Sequence, residues 1–204
     1  MLEPGSTFKL VTATAGAMEG VISIYDTINC TGKFDLVEKD NPINCWIYSA
    51  ADGWGSHGPE TLETAIRDSC NFYFNTVGYY LGQNENGEYV GDMTLLNKYA
   101  EMYGFDSTSG IEISEMDPQI ATADPTRAAM GQSNNAFTTS QLARYVTTLA
   151  NSGTCYDLTL LDKITDASGN TQEEPDPVVH NRLELPQDLW TTIHAGMQLS
   201  LIHI

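Results

Sequence analysis

The chain has 204 residues, enough for one domain with a sizeable core or two small ones, and its 41% apolar content with ten tyrosines marks a folded chain rather than a disordered one. Twenty-seven acidic residues against nine basic ones give a net charge of −18, which excludes a nucleic-acid partner, since that binding depends on cations that neutralise phosphates. No apolar run reaches the roughly 18 residues that a membrane span needs, and the first residues carry no basic, apolar leader.

The first predicted element is a helix from Ser6 to about Met18, free of Gly and Pro apart from Gly16 and stopped by Gly20. A turn-rich stretch, "INCTGKFDLVEKDNPINCW", follows and can fold as a hairpin that brings Cys30 and Cys45 together. Outside the cytoplasm those two cysteines can form a disulfide. The rival readings are a zinc site completed by His57 and Cys70, whose spacings match no compact zinc pattern, and ordinary buried thiols. No metal and no cofactor is assigned.

From Glu60 to Arg67, Leu62, Ala65 and Ile66 share one helical face, and a second helix runs from Phe72 to Leu81. Between them, Ser69 and Asn71 interrupt the pattern as a short loop. Leu95, Leu96, Tyr99 and Tyr103 mark another helix, closed by Gly104. The clearest periodicity is in "TTSQLARYVTTLANSG", where Leu142, Tyr145, Val146, Leu149 and Ala150 form the apolar stripe, Ser140 caps the start and Gly153 the end. "YDLTLLDKITDASGN" reads as one hairpin and "NTQEEPDPVVHNR" as a polar loop. Pro186 opens a last helix carrying Leu189, Trp190, Ile193 and Met197. Tyr73, Phe74 and Tyr145 are expected in the core, His57 in a structural role, and Arg127 and Arg144 beside carboxylates.

Two short motifs carry chemistry. In "EPGSTFK", Ser6 and Lys9 stand three apart, one turn of helix and one face, with the serine at a helix start where free N–H groups favour developing negative charge. A serine hydroxyl is a weak nucleophile until a neighbour takes its proton, and a desolvated lysine with a lowered pKa can do so. In "RDSCNFYFN", Ser69 and Asn71 can point a hydroxyl and an amide into the same cleft, as proton relay and as holder of a carbonyl or the lysine. Either motif alone reads equally well as helix capping.

Together, S-x-x-K followed by S-x-N resembles the transpeptidase domain of the class B penicillin-binding proteins. "GQSNNAFTTSQLARYVTTLANSGT" is similar to that family's segment after the S-x-N box, and "C-G" around Cys30, "HG" at His57 and "GM" at Gly196 also fit, so the resemblance covers essentially residues 3 to 197. It implies an α+β, β-lactamase/transpeptidase-like fold in which a helical subdomain packs on a five-stranded antiparallel sheet. It also implies acyl transfer: Ser6 attacks the penultimate D-Ala carbonyl of a peptidoglycan stem peptide, with Lys9 as base, Ser69 as relay and Asn71 as positioner of substrate and lysine. β-Lactams mimic the D-Ala-D-Ala end and trap the serine. The implied setting is the outer face of a bacterial cell membrane, held by an anchor outside this chain, among cell-wall synthesis partners.

The family's third box, K-T-G, is absent from the sequence, and only five residues precede Ser6. The expectation is a partial domain over residues 1–198, mainly its helical part, with most of the sheet missing. Helix faces left without their sheet should expose a large apolar patch. "LSLIHI", residues 199–204, resembles a translated sequencing-adapter tail. A serine β-lactamase or a β-lactam sensor is the alternative. Glu112 and Glu115 lie where a lactamase would need its water-activating glutamate, but "GIEISEMD" does not resemble the context of that residue.

Overall fold

The computed structural model describes residues 1–200. The four final positions, most of the expected tail, lie outside the described residues, while Leu199 and Ser200 continue the last helix.

The chain opens with a 3₁₀ turn, Gly5–Phe8, that runs directly into α1, Lys9–Met18. Every residue of α1 from Lys9 to Gly16 is buried, so this short helix is the axle of the fold. Around it pack α4 (Asn71–Leu81), α5 (Thr94–Ala100) and α8 (Gln187–Ser200), while α3 (Leu62–Arg67) lies against α8. Gly16 lets α4 approach closely, since a Cβ there would stand 2.6 Å from Val77 Cγ1. Gly196 does the same for α8, where a Cβ would meet Ile66 Cβ at 2.7 Å. These helices thus cover much of one another's apolar surface, while Met18, Trp46, Tyr80 and Val146 stay exposed on helices. Exposed apolar side chains such as Tyr25, Trp54, Ile113 and Leu160 are scattered outside the helices.

Four remaining helices are short or peripheral: α2 (Trp46–Ala50), α6 (Pro125–Ala128), α7 (Thr139–Ala150), and a π-helical extension of α5 over Glu101–Phe105 that ends where Gly104 takes φ +88°. In α7 the cap is Thr138, not Ser140: Thr138 and Gln141 form a capping box, which needs a Gln at the third helical position that only a Thr138 start supplies. The buried stripe shifts accordingly to Gln141, Arg144, Tyr145, Thr148 and Leu149, leaving Val146 and Ala150 in solvent. Arg144 is fully buried. It pairs with Asp157 at 3.3 Å and donates to the carbonyls of Gly104 and Ser107. An aromatic cluster of Phe8, Phe105, Phe137 and Tyr145 closes the space between α1 and α7.

The strands form four two-stranded antiparallel ladders and no wider sheet among the described residues. β1 (Ile28–Cys30) pairs with β4 (Gly58–Glu60), β2 (Lys33–Phe34) with β3 (Ile43–Asn44), β5 (Thr154–Tyr156) with β8 (Val179–Arg182), and β6 (Ile164–Thr165) with β7 (Thr171–Glu173). The predicted hairpin over residues 28–46 exists as β2–β3, whereas the stretch read as a second hairpin, residues 156–170, supplies only β6 and the turn, and the partner strand β7 follows it. β7 and β8, however, fall within the stretch read as a polar loop: no residue of β7 is buried and none of β8 is more than half-buried, so neither shows an alternating pattern. The fold is α+β with a partial sheet, as expected.

Candidate active site

Ser6 is exposed at the second position of the 3₁₀ turn. The turn is fixed from below: Gly5 N–H donates to Gly131 O at 3.1 Å, and Tyr145 Oη donates to Thr7 O at 2.7 Å. Gly131 has φ +74° and a Cβ there would stand 2.1 Å from Gly5 O, so the "GQ" of the sequence is the backbone seat of the Ser6 turn. Gln132 joins Gly5, Ser6, Asn44, Asn71 and Met130 around a cleft of about 270 Å³. A second, more apolar cleft of about 330 Å³ opens on the other side of Ser6, between Leu10, Ile66 and Met197.

Lys9 begins α1, accepting no cap side chain, and its backbone N–H donates to Ser6 O. At 3₁₀ spacing residues three apart eclipse, which sets Lys9 beneath Ser6 on one face. Its side chain is 2% exposed. The three donors of Nζ go to Ser69 O at 2.8 Å, Ser69 Oγ at 2.9 Å and Asn71 Oδ1 at 2.7 Å, with the Phe74 ring 5.7 Å away. Ser6 Oγ is not among these partners. Burial disfavours the ammonium and lowers the Lys9 pKa from 10.5 to about 8, only partly offset by nearby negative character at Cys70 and Cys45.

The local reason that Ser69 and Asn71 meet Lys9 is a helix end placed back to back with a helix start. After α3, Ser69 N–H bonds to Ile66 O and Cys70 N–H to Ala65 O, the two bonds of a Schellman closure. That closure needs a left-handed residue, and Ser69 takes φ +47° where glycine is usual. A non-glycine there stores roughly 1–3 kcal/mol of strain, which the surrounding bonds hold in place. Cys70 then caps α4, its Sγ accepting from Tyr73 N–H at 3.5 Å, and Asn71 is the first helical residue rather than part of a loop. All four sequence-predicted residues therefore meet at one place: Ser6 on the rim, Lys9 below it, and Ser69 and Asn71 holding Lys9.

Glu112 and Glu115 are occupied elsewhere. Glu112 accepts from Thr159 and Leu160, and Glu115 from Ser109, Thr138 and Ser140; neither lines a cleft that contains Ser6.

A second cluster gathers around Cys70, the middle residue of the same turn. Cys30, Cys45 and Cys70 are buried free thiols, and their sulfurs and a ring nitrogen of half-buried His57 all lie within 4.8 Å of one another. The Cys30–Cys45 disulfide allowed by the sequence is therefore not what is found; both thiols join a four-residue set instead. The separations of fifteen, twelve and thirteen positions gave no compact pattern because strand pairing, not local spacing, assembles the set. β1–β4 pairing sets Cys30 opposite Gly58, next to His57, and Cys45 N–H donates to Gly32 O after β3.

A family profile described as "Penicillin binding protein transpeptidase domain" matches residues 1–200. The chain belongs to this transpeptidase family. It is 26% identical over 211 residues to Penicillin-binding protein 2B of Streptococcus pneumoniae, covering 95% of this chain and 30% of that protein. It is likewise 26% identical over 213 residues to Peptidoglycan D,D-transpeptidase MrdA of Haemophilus influenzae, again covering 95% of this chain and 30% of that one. Among solved structures, Penicillin-binding protein 2B from S. pneumoniae strain R6 superposes with a TM-score of 0.77 at 26% identity, over 96% of this chain and 33% of that one. The chain thus spans about a third of the length of the relatives it matches. Residues 199 and 200, placed in the expected tail, fall inside the family match.

Proposed function

We propose that this chain carries the nucleophile-bearing part of a serine D,D-transpeptidase that cross-links peptidoglycan stem peptides on the outer face of a bacterial membrane, and that β-lactams acylate at Ser6. The observation that carries the reading is the buried Lys9 amine, one turn below an exposed serine and held by both polar residues of an S-x-N turn.

The chemistry follows from donor count. A neutral Lys9 has two N–H bonds and one lone pair. The two N–H groups satisfy Ser69 O and Asn71 Oδ1, and the lone pair, directed at Ser69 Oγ in the resting geometry, takes the Ser6 proton once Nζ turns toward Ser6, as the Ser6 oxygen adds to the penultimate D-Ala carbonyl. The Ser69 hydroxyl, within hydrogen-bond reach of Nζ, passes that proton to the leaving terminal D-Ala amine. Attack by the amine of a neighbouring strand then breaks the ester and forms the cross-link. A lowered lysine pKa makes the neutral form accessible near physiological pH.

Relatives support the class: one is named a peptidoglycan D,D-transpeptidase, and the solved structure of penicillin-binding protein A from M. tuberculosis, with the same fold at TM-score 0.76 and 19% identity, over 98% of this chain and 43% of that one, is an imipenem acyl-enzyme complex. The lactamase alternative is weaker, because Glu112 and Glu115 already serve other donors and, among the described residues, no carboxylate lines the clefts at Ser6. The test is the fate of the acyl-enzyme in a protein that joins residues 1–200 to a Lys-Thr-Gly strand. A stable penicilloyl adduct with slow deacylation, together with release of D-Ala from a stem-peptide substrate, is expected. Rapid turnover of penicillin without D-Ala release would reject the transpeptidase in favour of the lactamase.

A further inference from the structure

We propose that Cys30, Cys45, His57 and Cys70 form a closed, tetrahedral zinc site that braces the S-x-N turn through Cys70. The proposal goes beyond the transpeptidase reading and does not depend on it.

The geometry is that of a metal site in its ligand set and its spacings. With Zn–S near 2.3 Å and Zn–N near 2.0–2.1 Å, a tetrahedron sets sulfurs about 3.8 Å apart and sulfur to nitrogen about 3.6 Å. Cys45 Sγ and Cys70 Sγ are 3.9 Å apart, and His57 Nδ1 lies 3.5 Å from Cys45 Sγ and 3.7 Å from Cys30 Sγ. Three thiols and an imidazole at these distances have room for one ion at their centre.

The alternatives account for less. A disulfide would use two of the three sulfurs and leave the third, with the imidazole, in a buried place without a strong partner. Three uncombined thiols are weak donors and weak acceptors, and convergence on one ring nitrogen gives them little. His57 also fits the ligand role. Its Nδ1 faces the sulfurs, and the Trp46 ring packs on it edge-on at 5.3 Å, while its Nε2, which would carry the proton in the ligand tautomer, has no partner among the described residues. Glu60 Oε2, three residues on, is likewise buried without a partner.

Each ligand comes from a different, well-held segment: Cys30 ends β1, Cys45 caps α2, His57 precedes β4 and Cys70 caps α4. Four protein ligands leave no open position, so the site is structural rather than catalytic, and the soft S₃N donor set selects zinc among common divalent ions. Its use lies in Cys70. That residue stands between Ser69 and Asn71, and a metal bond to its sulfur fixes the middle of the strained turn whose two flanking residues hold Lys9. Binding releases three thiol protons to solvent, and the four ligands and ion together carry one negative charge.

The experiment is zinc analysis of the purified chain after reconstitution with Zn²⁺ and exhaustive dialysis, followed by X-ray absorption at the zinc edge. The expected result is one zinc per chain with a first shell of three sulfurs and one nitrogen. Cys45→Ser and Cys70→Ser should each lower zinc affinity by at least about 100-fold. Chelation should speed amide exchange at residues 69–71 before it affects α7. A chain that binds no zinc, whether its thiols are free or joined as a disulfide, overturns the proposal. So does zinc with an oxygen-rich shell, or zinc retained with full affinity in both variants. The absorption spectrum of the unsubstituted chain decides the matter even where the variants do not fold.

Discussion

The turn Ser69–Cys70–Asn71 joins two networks, the lysine network that we call the front and the thiol–imidazole set that we call the back, and they are built by opposite rules. On the front, Lys9 meets a carbonyl, a hydroxyl and an amide oxygen at 2.7–2.9 Å, and every donor of the ammonium is matched. On the back, three sulfurs and an imidazole crowd together at 3.5–3.9 Å with no strong hydrogen bond between them. The front is a polar network in which the ammonium of Lys9 is fully partnered. The back is a set of ligands without a partner of its own kind. One residue, Cys70, belongs to the turn and to the thiol set alike, so under the proposed zinc site rigidity at its sulfur would reach the residues that hold Lys9.

That contrast can be broken most severely at the front. In a protein joining residues 1–200 to a Lys-Thr-Gly strand, Lys9→Ala should slow penicillin acylation by about 10²–10⁴-fold, the range for loss of a positioned base, as read from stopped-flow labelling rates. An unchanged rate would leave Lys9 a merely structural cation. The seat of the Ser6 turn comes next. Gly131→Ala puts a Cβ 2.1 Å from Gly5 O at φ +74°, and should destabilise the fold by about 2–4 kcal/mol in a denaturation curve.

A smaller effect sharpens the comparison by pH. The acylation rate should rise with pH and reach half its plateau near pH 8, where buried Lys9 becomes neutral. Stability has a matching sign. An unfolded lysine titrates near 10.5 and the folded one near 8, so the unfolded chain binds more protons between these values. This group's contribution therefore favours folding more as pH rises through that window, and Lys9→Met should remove that contribution from thermal melts. The smallest expected effect is the control. Lys98 and Glu19 form a half-exposed ion pair at 2.6 Å, remote from both faces, and Lys98→Ala should shift stability by less than about 1 kcal/mol.

The sequence carried the front face well and the back face poorly, for physical reasons. Ser6 and Lys9 are neighbours on one helical start, so spacing alone set them on one side. Ser69 and Asn71 straddle a helix end and a helix start, and their capping chemistry is local. The helices around α1 were legible from their apolar periodicity. Strands β7 and β8 were not, because with no buried residue between them they offer no alternation to read. The α7 cap moved two residues since two threonines and a serine all suit the role, and only the Gln141 partner chooses among them. The thiol–imidazole set was visible as three cysteines and a histidine, yet its assembly depends on the β1–β4 and β2–β3 pairings. No spacing rule encodes those pairings.

The central claim is that Ser6 is the acylated residue, activated by the amine held beneath it. The most direct measurement is peptide mapping by mass spectrometry after penicillin treatment of the protein that joins residues 1–200 to a Lys-Thr-Gly strand. A single penicilloyl adduct on the peptide containing Ser6, lost in Ser6→Ala, is the predicted result. An adduct on Ser69 or elsewhere, or one that persists in Ser6→Ala, would contradict the account.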